Sequence, residues 1–569
     1  MKKTPKTVLL LVLVAFVLIS AVACESPADS TTSEQTQEAT SAPTVETPDV
    51  TTPQPATTPE PTTPETTPEV TPETTPETTP ATTPETTPET TPPENGPEDG
   101  PAIDLEGYTY LAYVRSNYSG GNLMENGNPS FYCEDFWYDL ANNGYPEDIV
   151  SYSVYSRNST IEREMNVKIR QVNQKGNMAD ELTKFYTNGT AFDLTIILAK
   201  SGAQVATKGL LQDLNSLPAL MLEQTAYDQN SIRELSIAGK LYYLSGDMNI
   251  STMDCITPTV VNVEMYEVLA EKVVEFFEGD RTFFNIYDVV TSGKWTIDTM
   301  FEIAAIASVD VNPNDGPLGS SMLDTVGYFQ YATSTLYYFY GAGGRITQIN
   351  DKGVPEFVIQ ERNNHELFNY IFDTMNTNCL DIPYPYGWSA ARKTNFSTNA
   401  NTLFTDMTLW DVRKDLYFSD GFAYGVLPNP VYAEGDDYNA VIHFSNLVHL
   451  WAIPTLCNDM FNAQLMMATM ASCSDIAVSG STMDAYYIRT LSHMVASNPQ
   501  ARGVMNTIKN STVYDIGLLY DWGGWIVELE KLGTQESNNY GSLVSTMPYN
   551  AIPKLEETIE QFKNPELPL

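Results

Sequence analysis

Side-chain oxygens alternate at Asp310, Asn312 and Asn314, with Asp324 further on. That alternation is what a calcium loop needs, so these four residues are the candidate metal ligands and calcium the candidate ion. The glycine, Gly316, stands one place late for such a loop, and Ser321 occupies the twelfth position where a glutamate would close the shell. The same residues also make an ordinary Asx-rich turn, in which side-chain oxygens accept neighbouring backbone N–H groups. Other reactive groups are sparse. His365, His443, His449 and His493 show no zinc-type spacing, and Cys133, Cys255, Cys379, Cys457 and Cys473 form no Cys-x-x-Cys pair. No Gly-x-Ser-x-Gly elbow, His-Glu-x-x-His helix or phosphate-binding glycine loop occurs. A glycoside hydrolase or lyase needs only two carboxylates at a defined separation, and nothing singles out a pair among so many acids.

The chain opens with Lys2, Lys3 and Lys6, followed by the apolar stretch 8–19, as an export leader does. Ala21-Val22-Ala23-Cys24 resembles the lipobox of bacterial lipoproteins, which implies lipidation at Cys24 after removal of residues 1–23. The folded part is then expected outside the cell, held on the outer face of the cytoplasmic membrane by the lipid alone. Residues 24–104 are almost entirely Thr, Pro and Glu, with Thr-Thr-Pro-Glu recurring through 62–89. No apolar periodicity offers a core, so this stretch reads as a disordered linker. At about 3.1 Å per residue it could reach on the order of 200 Å, enough to stand clear of a thick wall. The net charge of −42 is partly the linker's, but the folded part is acidic too, which argues against a nucleic-acid partner.

The remainder is long enough for two cores. The apolar patterns predict strands at 108–114, 167–172 and 192–198, helices at 148–165 and 181–186, and an α/β fold with a parallel sheet. The C-terminal stripe Ile552, Leu555, Ile559 and Phe562, with Pro553 in the first turn, predicts an amphipathic helix.

A series of short stretches, in order, resembles the extracellular solute-binding proteins of ABC importers, specifically the sugar-binding type (family 1) related to maltose-binding protein. They are Arg157-Asn158, Phe192-Asp193-Leu194, the run Gly209-Leu210-Leu211-Gln212-Asp213-Leu214, and Gly239-Lys240-Leu241-Tyr242-Tyr243-Leu244. Gly293-Lys294-Trp295-Thr296, Tyr340-Gly341-Ala342-Gly343-Gly344, Gly425-Val426-Leu427-Pro428, Ala452-Ile453-Pro454 and Tyr514-Asp515-Ile516-Gly517 follow. The resemblance spans most of 105–562 and implies a two-lobed periplasmic-binding-protein-like fold (type II). It places the first lobe at 105–251 plus 451–510 and the second at 252–450 plus 511–569, with crossings near 249–261 and 441–450. It further implies capture of a carbohydrate, an oligosaccharide for preference, between the lobes, delivery to the permease subunits of an ABC transporter, action as a monomer, and no catalysis.

A sugar offers hydroxyls at its rim and C–H patches on its faces, so a sugar cleft needs aromatic planes and paired acids or amides. By position within the resemblance, Asp247, Asn249, Tyr340, Trp410, Trp522, Trp137, Lys200 and Ser201 are the candidate ligand-binding residues. A turn at Gly246-Asp247 is the plainer alternative for Asp247 and Asn249, and core packing for the aromatics, while Lys200 and Ser201 stand at the C-terminal end of a parallel strand, where open α/β sheets commonly bind ligands. A peptide ligand, a glycan-active enzyme and a surface adhesin are the rival readings.

Overall fold

The computed structural model describes residues 103–115, 134–136, 148–314, 318, 323–330, 333–378, 396, 401–413, 423–442, 448–491, 499–534 and 537–565. The leader, nearly all of the linker with Cys24, and Trp137, Cys133, Cys379, His443, His493, Gly316 and Ser321 lie outside the described residues.

Strand β1 (Tyr108–Val114) lies between β2 (Val167–Asn173) and β3 (Leu194–Leu198), parallel to both, with Tyr108 opposite Val167 and Ala112 opposite Leu194. Its Tyr110, Ala112, Tyr113 and Val114 are all buried, as a strand covered on both faces requires, whereas the edge strand β2 alternates buried Val167 and Ile169 with exposed Lys168 and Arg170. On the other side of β3 comes β11 (His449–Ala452), antiparallel, His449 opposite Leu198. The order is therefore β2-β1-β3-β11, and its fourth strand arrives only after the chain has built a second sheet.

That second sheet runs β5 (Val326–Phe329), β8 (Thr402–Asp406), β4 (Thr259–Asn262), β9 (Tyr424–Leu427), with β4 antiparallel to both neighbours and β5 parallel to β8. Thr296 caps the helix Ile297–Ala307 by accepting from Thr299 N, and Trp295 beside it is buried, its Nε1 donating to Pro428 O at 2.8 Å. Gly327 of β5 lies so close under this helix that a Cβ would stand 1.8 Å from Ala304 O. A hairpin of β6 (Thr347–Ile349) and β7 (Pro355–Phe357) and a short parallel pair, β10 (Ala440–Val441) with β12 (Thr512–Val513), complete the strands described.

The protein is thus an α/β molecule of two halves, each built on its own four-stranded sheet. The chain leaves the first sheet through the single helical turn Ile250–Met253, and β10 (Ala440–Val441) and β11 (His449–Ala452) flank its return. Outgoing Ile256 and returning Ile442 face each other in an antiparallel bridge. The predicted first three strands and first two helices form with their ends within a few residues of expectation. The C-terminal helix runs Pro548–Lys563, so Pro548 occupies the first turn and Pro553 lies inside. Its buried stripe is Ala551, Leu555, Thr558, Ile559 and Phe562, spaced by three and four residues, while Ile552 sits one step round the helix and is exposed. No helix among the described residues is long and apolar enough to cross a membrane.

Candidate ligand site at the junction of the two sheets

The helix Ile149–Glu164 buries Val150, Val154 and Ile161, and on the same side Arg157 and Asn158. A buried guanidinium must find acceptors, and Arg157 donates to Asp135 O at 3.0 Å, Phe136 O at 3.3 Å and Ser474 Oγ at 3.0 Å. Asn158 donates to Phe136 O as well, and the Phe136 ring packs edge-on against Trp451 of β11. Segment 134–136 is pinned in this way to the first half, and its two acids, Glu134 and Asp135, reach different partners at the junction.

Asp135 accepts from Ser251 N at 2.7 Å and from Ser251 Oγ, and lies 3.0 Å from His449 Nδ1. Ser251 Oγ is 2.6 Å from that same nitrogen. A serine, a histidine and an aspartate in contact suggest a nucleophile, but in a relay the serine and the acid use opposite ring nitrogens. Here both sit on Nδ1 and bond each other, and Asp135 and His449 are 0% and 4% exposed. The cluster is an anchor: Asn249 Nδ2 and Thr252 Oγ1 also donate to His449 O, at 3.1 and 2.6 Å, so one residue of the returning strand holds the whole outgoing turn.

Glu134 meets Arg413, which follows β8 and the short helix Leu409–Asp411. The guanidinium contacts Glu134 Oε1 and Oε2 at 3.0 and 3.2 Å, Asp254 Oδ2 and Oδ1 at 2.7 and 3.2 Å, and Asp148 Oδ2 at 3.9 Å. Tyr486 OH donates to Asp254 Oδ1 at 2.8 Å. Arg413 is 2% exposed; burial works against its charge, but Asp254 and Glu134 outweigh burial and hold the guanidinium well above its ordinary value. Burial pushes the Asp254 carboxyl up, with Arg413 pulling the other way. Above the guanidinium lie two rings, Tyr486 at 5.5 Å and Trp410 at 5.6 Å. Trp410 remains 45% exposed, an uncommon condition for an indole beside a buried ion network.

Of the residues singled out from sequence, Trp410 and Asn249 stand at this junction. Tyr340 is buried in the second half, its hydroxyl donating to Asp515 Oδ2 at 3.0 Å, and Trp522 is buried among the C-terminal helices, its Nε1 donating to Thr558 Oγ1 at 3.1 Å. Lys200 and Ser201 open the helix Ala199–Thr207 after β3; burial pushes the carboxyl of Asp521 up, with Lys200 among the groups pulling the other way. The oxygens of the acidic loop are turned to its own backbone: Asp310 accepts from Asn312 N at 2.9 Å, Asn312 from Asn314 N at 3.4 Å, and the buried Asp324 from Val311 N at 3.0 Å. Among the described residues no three His, Cys, Asp or Glu side chains are grouped to hold a metal. Sequence reasoning missed Glu134, Asp148, Asp254, Arg413 and Tyr486. The one local signal was Arg413 three residues after Trp410, a spacing that brings two side chains together on a helical turn.

Asp247 is buried against Lys509, 2.7 Å from Nζ, and accepts from Ile476 N at 2.8 Å. Burial pushes its carboxyl up to about 6 despite the ammonium. The folded state therefore holds this proton more tightly than the unfolded chain, so its contribution is fully present below about pH 4 and is lost as pH rises through about 6. That loss amounts to about 3 kcal/mol. Denaturant unfolding of wild type and Asp247→Asn at pH 4.5 and 7.5 is expected to show the stability difference moving toward Asn by about 2 kcal/mol at the higher pH. Parallel profiles would contradict it.

No family model matches the chain, and neither does any curated protein. Its structure is similar to solved sugar complexes. A cyclo/maltodextrin-binding protein complexed with maltotetraose is 14% identical, with 81% of this chain and 98% of that one covered and a TM-score of 0.47. An ABC substrate-binding protein from Listeria monocytogenes in complex with cycloalternan is 13% identical, covering 79% and 100%, with a TM-score of 0.45. An extracellular solute-binding protein from Staphylococcus aureus in complex with maltose is 9% identical, covering 79% and 98%, with a TM-score of 0.48.

Proposed function

We propose that this chain captures a carbohydrate at the junction of its two halves and delivers it to an ABC importer, tethered to the membrane through Cys24. The observation that carries the reading is Trp410, whose exposed indole lies over Arg413 where Glu134 of the first half and Asp254 of the outgoing stretch converge. An indole face suits the C–H face of a sugar ring, and the surrounding carboxylates suit its hydroxyls. Arg413 offsets part of the charge of Glu134 and Asp254 from within the protein, which lessens the pull of the site on the amine of a peptide. The order of short stretches along the chain supports the same reading, as does the two-sheet build with paired crossings.

Titration calorimetry with neutral oligosaccharides tests it. Trp410→Ala is expected to weaken binding by about tenfold to a hundredfold, as for an aromatic anchor, while its melting temperature without ligand stays within about two degrees of wild type. Unaltered affinity in that variant would remove Trp410 from the site. The lipid anchor has its own test, since Cys24→Ala should abolish incorporation of labelled fatty acid and release the protein to the medium.

A further inference from the structure

Arg413 belongs to neither half alone. Its contact with Asp254 stays beside the second sheet, because Asp254 O accepts from Trp410 N at 3.2 Å and Ile256 O from Leu409 N at 2.9 Å. The contact with Glu134 spans to the first half, since segment 134–136 is fastened there by Arg157 and Asn158. Tyr486, from the stretch Asp484–Leu491 that packs on the helix Ile149–Glu164, spans the same gap with a neutral bond to Asp254. A planar fork with five donors can serve two carboxylates and present a flat face to an indole at once, and an ammonium cannot.

We infer that Arg413 is a positioning residue: its fork sets the separation of the two halves through Glu134 and, with the same contacts, fixes the face that Trp410 turns to the ligand. The part concerning Trp410 rests on the function proposed above. The part concerning separation holds whatever the ligand is, because every group in the latch is the protein's own.

The test uses the full chain with probes at exposed Lys168 and Val268, one on each half, introduced as non-natural residues so that the native cysteines stay untouched. Glu134→Gln keeps the shape of the side chain, removes the spanning charge and spares the Arg413–Asp254 pair. It is expected to lengthen and broaden the distance distribution without added sugar. Arg413→Lys should do the same although it keeps the charge. Collisional quenching of Trp410, taken as the difference between each protein and its Trp410→Phe counterpart, should rise in both variants. If either variant fails to unfold cooperatively, Tyr486→Phe, which loses one neutral bond, reads the same distance, with a smaller lengthening expected. An unchanged distance distribution and unchanged quenching in cooperatively folded variants would overturn the inference. A latch that opens in a protein binding no sugar would leave the part concerning separation standing, and would defeat the proposed function together with the part concerning Trp410.

Discussion

Asp515→Ala is expected to cost about 4 kcal/mol or more, because a single buried carboxylate here organises three pieces of chain. Its Oδ2 accepts from Tyr340 OH at 3.0 Å, Ile346 N at 2.7 Å and Thr347 N at 3.0 Å, and its Oδ1 from Thr347 Oγ1 at 2.6 Å and Gly517 N at 2.9 Å. The bond from Gly517 N is the cap of the helix Ile516–Tyr520. Alanine leaves these donors buried without their acceptor, at about 1–3 kcal/mol for each that water cannot reach. Asp515→Asn should fall between the two, since an amide accepts through one oxygen only. Denaturant midpoints measure all three proteins. A loss below about 1 kcal/mol in the alanine variant would show that water satisfies these groups.

Arg413→Met is expected to remove about 3–5 kcal/mol, since it strands the buried Asp254 and the largely buried Glu134 without their cation. The loss is the penalty of two uncompensated acids and does not equal the worth of the ion network. Neutralising all three together, in Glu134→Gln/Asp254→Asn/Arg413→Met, should therefore recover much of it. Unfolding by denaturant in the single and triple variants separates the two quantities. Equal losses in both would mean that the network contributes mainly through packing against Trp410 and Tyr486.

How much of this was legible depended on the range of the interactions. Strands β1, β2 and β3 carry their signal in consecutive residues, since burial on one face or two dictates alternation or an unbroken apolar run. Asp148 and Asn177 cap the first two helices from within the same few residues. The junction has no such local signature. Glu134 and Arg413 are 279 positions apart and Asp135 and His449 are 314 apart; the return of β11 beside β3 brings His449 to Asp135, and the bonds of Leu409 N and Trp410 N to the outgoing stretch bring Arg413 to the junction. Aromatic residues near glycine, as at Tyr340 and Trp522, fit a cleft wall and a packed core equally well by composition; the structure places both rings in the interior. The Asx-rich loop was open between calcium and a turn, and its oxygens are engaged with backbone N–H groups. Pro553 misled for a local reason: Pro548, five residues earlier, already supplies the first-turn proline.

The most direct test of carbohydrate capture is the melting temperature of the full chain against a panel of mono- and oligosaccharides with a peptide pool alongside, each sample then assayed for products. A ligand at about 100 times its dissociation constant adds about 2.7 kcal/mol. One glycan class raising the melting temperature and recovered uncleaved is the predicted result. A shift from peptides alone, or slow cleavage of a glycan, would contradict it.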